Sequence, residues 1–310
     1  MSTKKIILIP HLKIHNANAL SSPYTIGFPA MTAWLGAVHA LERKLKAPQF
    51  YEGEEYIDYE DLHFVGMAVA CHEINLQTYK GENDFVHSII GTGNPLDKTG
   101  RRPSFIEEAR CHLDVSLIIE FETDEDSQDL ANDIGDLLQG NMKIAGGDIL
   151  SCHYSKIETM EISSESDKTR KLMGKLMPSH CLIERRDLMQ DEMQDGQDAM
   201  DALLDYLAVH HHCNVEKEKD KEKITWSSQR KTEGWIVPIA TGFHGISDLG
   251  KAENQRDTDT PHRFAESIVT LGQFVMPYRI ENLNDMLWEY HTDLENNLYL
   301  CQQVTQTTKI

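Results

Sequence analysis

Three cysteine–histidine pairs, Cys71-His72, Cys111-His112 and Cys152-His153, carry side chains suited to binding a metal or moving a proton. Thiolate and imidazole are zinc ligands, and imidazole is the usual acid or base near neutral pH. Each pair lies on or beside an expected strand. Neighbouring side chains on a strand point to opposite faces, so one pair cannot chelate an ion by itself. A zinc site requires several pairs to converge, and packing is the plainer expectation. The tract His210-His211-His212-Cys213 offers four donors. Only residues three or four apart share a helix face, so the run presents no chelating face. His11 and His15 have a zinc-like spacing, but on a strand it means little. The sequence therefore predicts no metal and no other cofactor.

Two glycine-rich loops could approach phosphate. Gly91-Thr92-Gly93-Asn94-Pro95 and Ala145-Gly146-Gly147-Asp148 both lack the GKS or GKT of a phosphate-binding P-loop. Gly146-Gly147 reads either as a tight turn into a strand or as backbone amides brought close to a phosphate. No GxSxG elbow is present and no pair of carboxylates stands out as acid and base, so catalysis is not expected. The segment Asn16-Ala17-Asn18-Ala19-Leu20-Ser21-Ser22-Pro23 is unusual. Its small polar side chains both donate and accept, which suits base edges, sugars and phosphate oxygens. A capped loop is the alternative.

The elements that would position these groups follow from periodicity. Lys4 to Ile14 reads as a strand. Gly27-Phe28-Pro29 opens a helix whose buried face is Trp34, Val38, Leu41 and Leu45, with Leu35 beside them. Strands are expected over Leu62 to Tyr79 and Leu113 to Phe121, with a polar arm at about 80–110 between them. A second helix from Asp126 to Gln139 and a strand from Ile149 complete the order strand, helix, strand, strand, helix, strand. This is the ferredoxin-like arrangement, shared by RNA-recognition modules. Residues 1–160 form that first unit. Residues 161–310 are expected to be a second, partly helical lobe. It is helical over 166–213, with Leu172, Leu176, Leu203, Leu204 and Leu207 in its core. A charged linker at about 214–233, a short strand Trp235–Ile239 and a glycine-rich turn at Thr241–Gly245 follow. Helical stretches are expected at Pro261–Leu271 and Leu283–Tyr290. The fold class is α+β.

Composition narrows the function class. The 310 residues are 40% hydrophobic and 26% charged, an ordinary globular balance. No run of about 18 apolar residues suggests a membrane-spanning helix. The apolar run Ile6–Ile9 ends at Pro10, too short for a signal-peptide core. Six scattered cysteines without a CxxC fit free thiols and a cytoplasmic location. A net charge of −20 argues against a free-standing nucleic-acid binder, because phosphate affinity comes from Lys and Arg. The charge is unevenly spread, however. Arg43-Lys44-Lys46, Lys98 to Arg102, Arg170 to Lys175, Arg185-Arg186, Arg230-Lys231, and Arg256 with Arg263 are basic clusters, compatible with one basic groove on an acidic body.

Several motifs together resemble a known family. They are Ile14 through Pro23, Gly27-Phe28-Pro29, Val38-His39-Ala40-Leu41, Asn94-Pro95-Leu96, Glu107 through Leu117, Ala145 through Leu150, Gly234 through Ile239, Arg256 through Phe264, and Leu287-Trp288. In this collinear order they resemble the second Csy subunit of type I-F CRISPR effector complexes, a Cas-five-type member of the RAMP superfamily. The resemblance implies an RRM-like RAMP domain with an inserted arm and a second lobe. It also implies a non-catalytic RNA-binding subunit in the Csy (Cascade) complex of antiviral defence. The implied ligand is the 5′ handle of the CRISPR RNA (crRNA). The implied partners are the large Csy subunit, as a heterodimer, the backbone Csy subunit, and target double-stranded DNA reached through the complex. No membrane partner is implied. On this reading Asn16, Asn18, Ser21, Ser22, Gly146 and Gly147 hold the handle at one edge of the sheet. Lys98, Arg101 and Arg102 contact RNA phosphates from the arm, and Arg256, His262 and Arg263 add a second basic wall. The competing reading is a RAMP-type endoribonuclease that processes CRISPR transcripts. The segments Asn214–Glu233 and Tyr51–Asp61 depart from the family pattern.

Overall fold

The structure, a computed structural model, describes residues 3–51, 54–56, 59–92, 96–102, 106–123, 129–140, 142–162, 166–218, 221–255 and 257–303. The first half alternates as its sequence demands. Strand β1 (Lys4–Asn18) leads to helix α1 (Met31–Leu45), strands β2 (His63–Leu76) and β3 (Arg110–Glu122), helix α2 (Leu130–Gly140), and strands β4 (Gly147–Ser151) and β5 (Glu158–Ile162). All pairings are antiparallel. β3 lies between β1 and β2, and both β4 and β5 pair with the other edge of β1. The spatial order is thus fourth, first, third, second.

Both helices cover one face of this sheet. Ile7, Ile9, Leu12 and Ile14 of β1 join Val69 of β2 and Leu113, Val115, Leu117 and Ile119 of β3. They pack against Trp34, Val38, Leu41 and Leu45 of α1, as the helical spacing predicts, and against Leu130, Ile134 and Leu138 of α2. α1 begins at Met31, two residues beyond Pro29, because Pro29 precedes the first turn instead of occupying it. Residues 124–128, where the second helix was expected to start, lie outside the described residues, and α2 is described from Leu130.

The opposite face is divided. Ile6, Leu8, Ala68, Ala70 and Ile118 occupy one end of it. Leu172, Met173 and Leu176 of helix α3 (Ser166–Lys175) and the segment carrying Ile280, Leu283, Met286 and Leu287 seal that end. The other end carries polar side chains.

The remaining chain extends the same sheet. Strand β6 (His180–Glu184), helices α4 (Arg186–Gln194) and α5 (Ala199–Leu207), strands β7 (His210–Glu218) and β8 (Lys221–Gln229), and strands β9 (Trp235–Gly245), β10 (Ala265–Val275), β11 (Trp288–Asp293) and β12 (Leu298–Gln303) follow. Eleven strands among the described residues form one sheet. From β2 its path runs through β6, β10, β9, β12 and β11, and β11 pairs back onto β2 at Met67. α4 and α5 cover this part through Met189, Ala202, Leu203 and Tyr206. Among the described residues no helix is long and apolar enough to cross a membrane.

Four expectations for this half are corrected. Residues 261–271 and 283–290 are not helical: β10 and β11 occupy them, with only a short 3-10 turn at Leu283–Asp285. The β-branched run Ile268-Val269-Thr270 favours a strand over a helix. The stretch 166–213 is interrupted by β6, and its Leu204 is exposed, whereas Leu172, Leu176 and Leu203 are buried. The charged linker is a hairpin, β7 paired with β8. Its backbone register runs from His210 opposite Gln229 to Glu218 opposite Lys221. Finally, the glycine-rich stretch after Ile239 continues β9 instead of turning. A Cβ at Gly242 would lie 2.1 Å from the Tyr299 carbonyl oxygen, so glycine is what lets β12 approach.

Candidate nucleic-acid interface

The same alternation that buries one face of β1, β2 and β3 exposes the other. Leu12, Ile14, Leu113, Val115 and Cys71 go to the helices; Lys13, His72, His112, Asp114 and Ser116 face away. The register sets Lys13 opposite Asp114, Asp114 opposite Glu73, and His112 opposite Asn75. A shallow depression of about 200 Å³ forms there, lined by Lys13, His15, Glu73, Asn75, His112, Asp114 and Leu150 among others.

Two irregularities in β1 shape this surface. The pairing with β3 slips between Ile9 and Leu12 and again between Ile14 and Ala17. At these bulges His11 and Asn16 adopt left-handed φ values of 51° and 62°. Such conformations are unfavourable for residues other than glycine and persist only where neighbours fix them. Here the His11 N–H donates to Ser116 Oγ at 3.1 Å, and the Asn16 N–H donates to His112 Nδ1 at 3.1 Å. Gln77 Nε2 donates to Asn16 Oδ1.

Histidines dominate the face. His11 stacks on His72 with ring centroids 4.0 Å apart and lies 5.0 Å from His153; His15 stacks on His112 at 4.3 Å. Burial, and then the positive charge His15 can carry, lower the His112 pKa, which favours the neutral ring that accepts from Asn16. Each cysteine–histidine pair is split as strand geometry requires. Cys71, Cys111 and Cys152 are buried in the helix-side core, and burial pushes their thiols up to about 12, 11 and 12. Thiols held protonated are poor nucleophiles and poor ligands. The convergence of His72, His112 and His153 with His11 and His15 is what the sequence reading missed. Its signal is present: two strands, and the segment after a third, each place a histidine directly after an inward cysteine, and adjacency of those strands brings the histidines together.

The other candidate residues fall into three places. Asn18, Ser21 and Gly146 line one groove of about 590 Å³ beside the start of α1, together with Glu108 and Arg110. There the Asn18 side chain closes a turn on Leu20, and the Asn18 N–H donates to the Ala145 carbonyl at 2.8 Å. Ser22 is buried, and its hydroxyl is occupied by Thr25 Oγ1 and the Tyr24 N–H. Ala145 and Gly146 both have positive φ, the geometry of a tight hairpin turn into β4. Gly147 serves packing: a Cβ there would lie 2.8 Å from Ala17 N and from His15 O. Gly147→Ala is therefore expected to cost about 1–3 kcal/mol, read as a lower urea midpoint with an unchanged m-value.

The second place is the arm. It continues β2 and β3 as paired ladders, Thr78–Tyr79 with Ser88–Ile89 and Gly91–Thr92 with Ile106–Glu107. Lys98, Arg101 and Arg102 are exposed in the loop closing it, where Asp97 Oδ1 accepts from the N–H groups of Thr99 and Arg101. Asn94 and Pro95 lie outside the described residues.

The third place is the connection from β9 to β10. His262 bridges to Gly250, and Arg263 donates to Asn297 Oδ1 and lies against Gly245. Arg256 lies outside the described residues. This connection leaves from the Gly245 end of β9. The loop after β1 packs at the Trp235 end instead, where Phe28 meets Phe274 and Phe274 meets Trp235. At about 3.3 Å per residue the ends of β9 are roughly 33 Å apart. His262 and Arg263 therefore do not share a groove with Asn18 and Ser21.

Sequence comparison places the chain in a known family. A family model described as CRISPR-associated protein (Cas_Csy2) matches residues 7–301. A relative from Pseudomonas aeruginosa (strain UCBPP-PA14), named CRISPR-associated protein Csy2, is 31% identical over 318 residues, covering 95% of this chain and 94% of the relative. The match covers nearly all of the chain, and the chain belongs to the Csy2 family of CRISPR-associated proteins.

Proposed function

We propose that this chain is a non-catalytic subunit of a type I-F CRISPR RNA-guided surveillance complex. It binds the 5′ handle of the CRISPR RNA and joins the large subunit to the backbone filament, for recognition of invading DNA in the cytoplasm. The observation that carries the reading is the divided sheet face. The strand order fits a ferredoxin-like, RRM-like RAMP domain, and in such modules RNA lies on the face away from the helices. Here that face is sealed with apolar side chains at one end and left polar at the other, beside the groove holding Asn18, Ser21 and Gly146. Stacked histidines offer flat surfaces to unstacked bases, Lys13 and Arg110 offer charge, and Asn16 and Asn75 offer paired donors and acceptors.

Two projections support the bridging role. Phe85 on the arm is 96% exposed and Trp226 on the β7–β8 hairpin is 71% exposed, which suits surfaces that other subunits cover. The −20 charge fits a subunit whose RNA is shared with basic neighbours.

The test is handle binding by the reconstituted complex. Lys13→Ala with His15→Ala is expected to weaken binding about tenfold, the scale of one lost stacking contact. Arg101→Ala with Arg102→Ala is expected to lower affinity and reduce the slope of log K against log salt by about 1.4, two single-strand phosphate contacts. Unchanged affinity in the first variant would remove the sheet face from the account. An unchanged salt slope in the second would remove the arm. Cleavage of repeat RNA by the purified chain alone would favour the endoribonuclease reading, for which the paired His11–Asp114 and His72–Ser116 would supply the acid and base.

A further inference from the structure

We propose that His11, His72 and Asp114 form a site for one divalent transition-metal ion, zinc being the best match, on the open face of the sheet. One donor atom from each of the three lies within 4.8 Å of the others. Ligands bound tetrahedrally at about 2.0–2.1 Å are roughly 3.3 Å apart, so closing the site turns the His11 and His72 rings out of their stack and draws the donors together. One pair is already near that spacing: His11 Nδ1 and Asp114 Oδ1 are 3.0 Å apart. The ion takes the place of the hydrogen they share: the neutral His11 ring then carries its hydrogen on Nε2 and offers the Nδ1 lone pair to the ion.

The surroundings orient the ligands as metal sites require. His72 Nδ1–H donates to the Pro178 carbonyl at 2.8 Å, which fixes the tautomer and leaves the Nε2 lone pair free to ligate. That lone pair accepts from the Ser116 hydroxyl at 2.7 Å, a bond the ion would displace. The bulge at His11 turns its side chain onto this face despite an unfavourable φ. His153 is a further donor close by, its ring centroid 5.0 Å from that of His11. The neighbouring cysteines point into the opposite core, so the donor set is two imidazoles and a carboxylate. That set with an open fourth position suits zinc, whereas magnesium and calcium prefer all-oxygen shells.

This inference requires nothing of the RNA reading, and its test contains no RNA. The full chain, purified without a polyhistidine tag and stripped with EDTA, is titrated with zinc chloride by calorimetry and with cobalt(II) by visible spectroscopy. One equivalent bound, d–d bands from cobalt, and a raised Tm with zinc are expected. His72→Gln and Asp114→Asn, each checked for folding by circular dichroism, are expected to lose the stoichiometric ion. The triple change His211→Ala, His212→Ala, Cys213→Ser is expected to keep it. Long-range ¹H–¹⁵N spectra of the wild-type histidine rings need no variant and are expected to shift at His11 and His72 when zinc is added. Absence of stoichiometric binding at micromolar zinc, retention of the ion by both folded single variants, or ring shifts confined to His210–His212 would overturn the proposal.

Discussion

Trp288→Ala is expected to destabilise the protein by about 3–5 kcal/mol, the range for removing a fully buried aromatic side chain. Trp288 is completely inaccessible. It pairs with Met67 of β2, where the strand path returns to its start, and its indole N–H donates to the Leu182 carbonyl of β6 at 3.0 Å. One side chain thus joins β11, β2 and β6, and its loss opens a cavity while leaving a buried carbonyl without that donor. The urea midpoint should fall sharply at constant m-value. Trp226→Ala, on the exposed hairpin, should change stability by less than about 0.5 kcal/mol. Equal effects at the two sites would contradict the closed path.

The closure was not legible in the sequence. The sequence alone places Trp288 in a helical stretch, Leu283–Tyr290, and long-range pairing overrides so short a segment. β10 was misread similarly. Both strands are placed by partners far away in sequence, which a local window does not contain. The N-terminal half is legible because its signals are long: β1 runs fifteen residues, with two bulges, and α1 keeps one helical period over fifteen. Within the candidate site, the loop from Asn16 to Ser22 and the turn at Gly146 were identified from residue type, and Asn18, Ser21 and Gly146 do meet in one groove. The histidine face was not identified. Its residues come from β1, β2, β3 and the segment after β4, and only the pairing register brings them together. The resemblance makes Arg256, His262 and Arg263 a second basic wall, and strand length sets His262 and Arg263 apart from the groove holding Asn18 and Ser21.

Arg186→Ala is expected to cost about 3 kcal/mol near neutral pH, as breaking a buried ion pair does. Arg186 Nη2 lies 3.0 Å from Glu184 Oε2, and Nη1 donates to Gln302 Oε1 at 3.0 Å. The Gln303 N–H also donates to Glu184 Oε2, and the Glu184 N–H donates to Gln303 Oε1, so the pair fastens β6 to β12. Burial raises the Glu184 carboxyl above its ordinary value, while the Arg186 guanidinium draws it back down. Without Arg186 the folded-state value rises further above the unfolded one. A raised folded-state pKa favours folding below the unfolded value, and the advantage is lost as pH rises through the folded value. The deficit of the variant should therefore be largest at about pH 8 and shrink toward about pH 5, as Glu184 becomes protonated. Urea unfolding of both proteins across this window checks it, and a deficit that grows on acidification would contradict the assignment.

The most direct test of the RNA-facing role is photocrosslinking of handle RNA within the reconstituted complex, with the linked peptides identified by mass spectrometry. Crosslinks on Lys13, His15, Asn16, Asn18 and His112, the polar half of the β1–β3 face and its adjoining groove, are the predicted result. Crosslinks confined to the β7–β8 hairpin or to the connection carrying His262 and Arg263, or none on this chain, would contradict it.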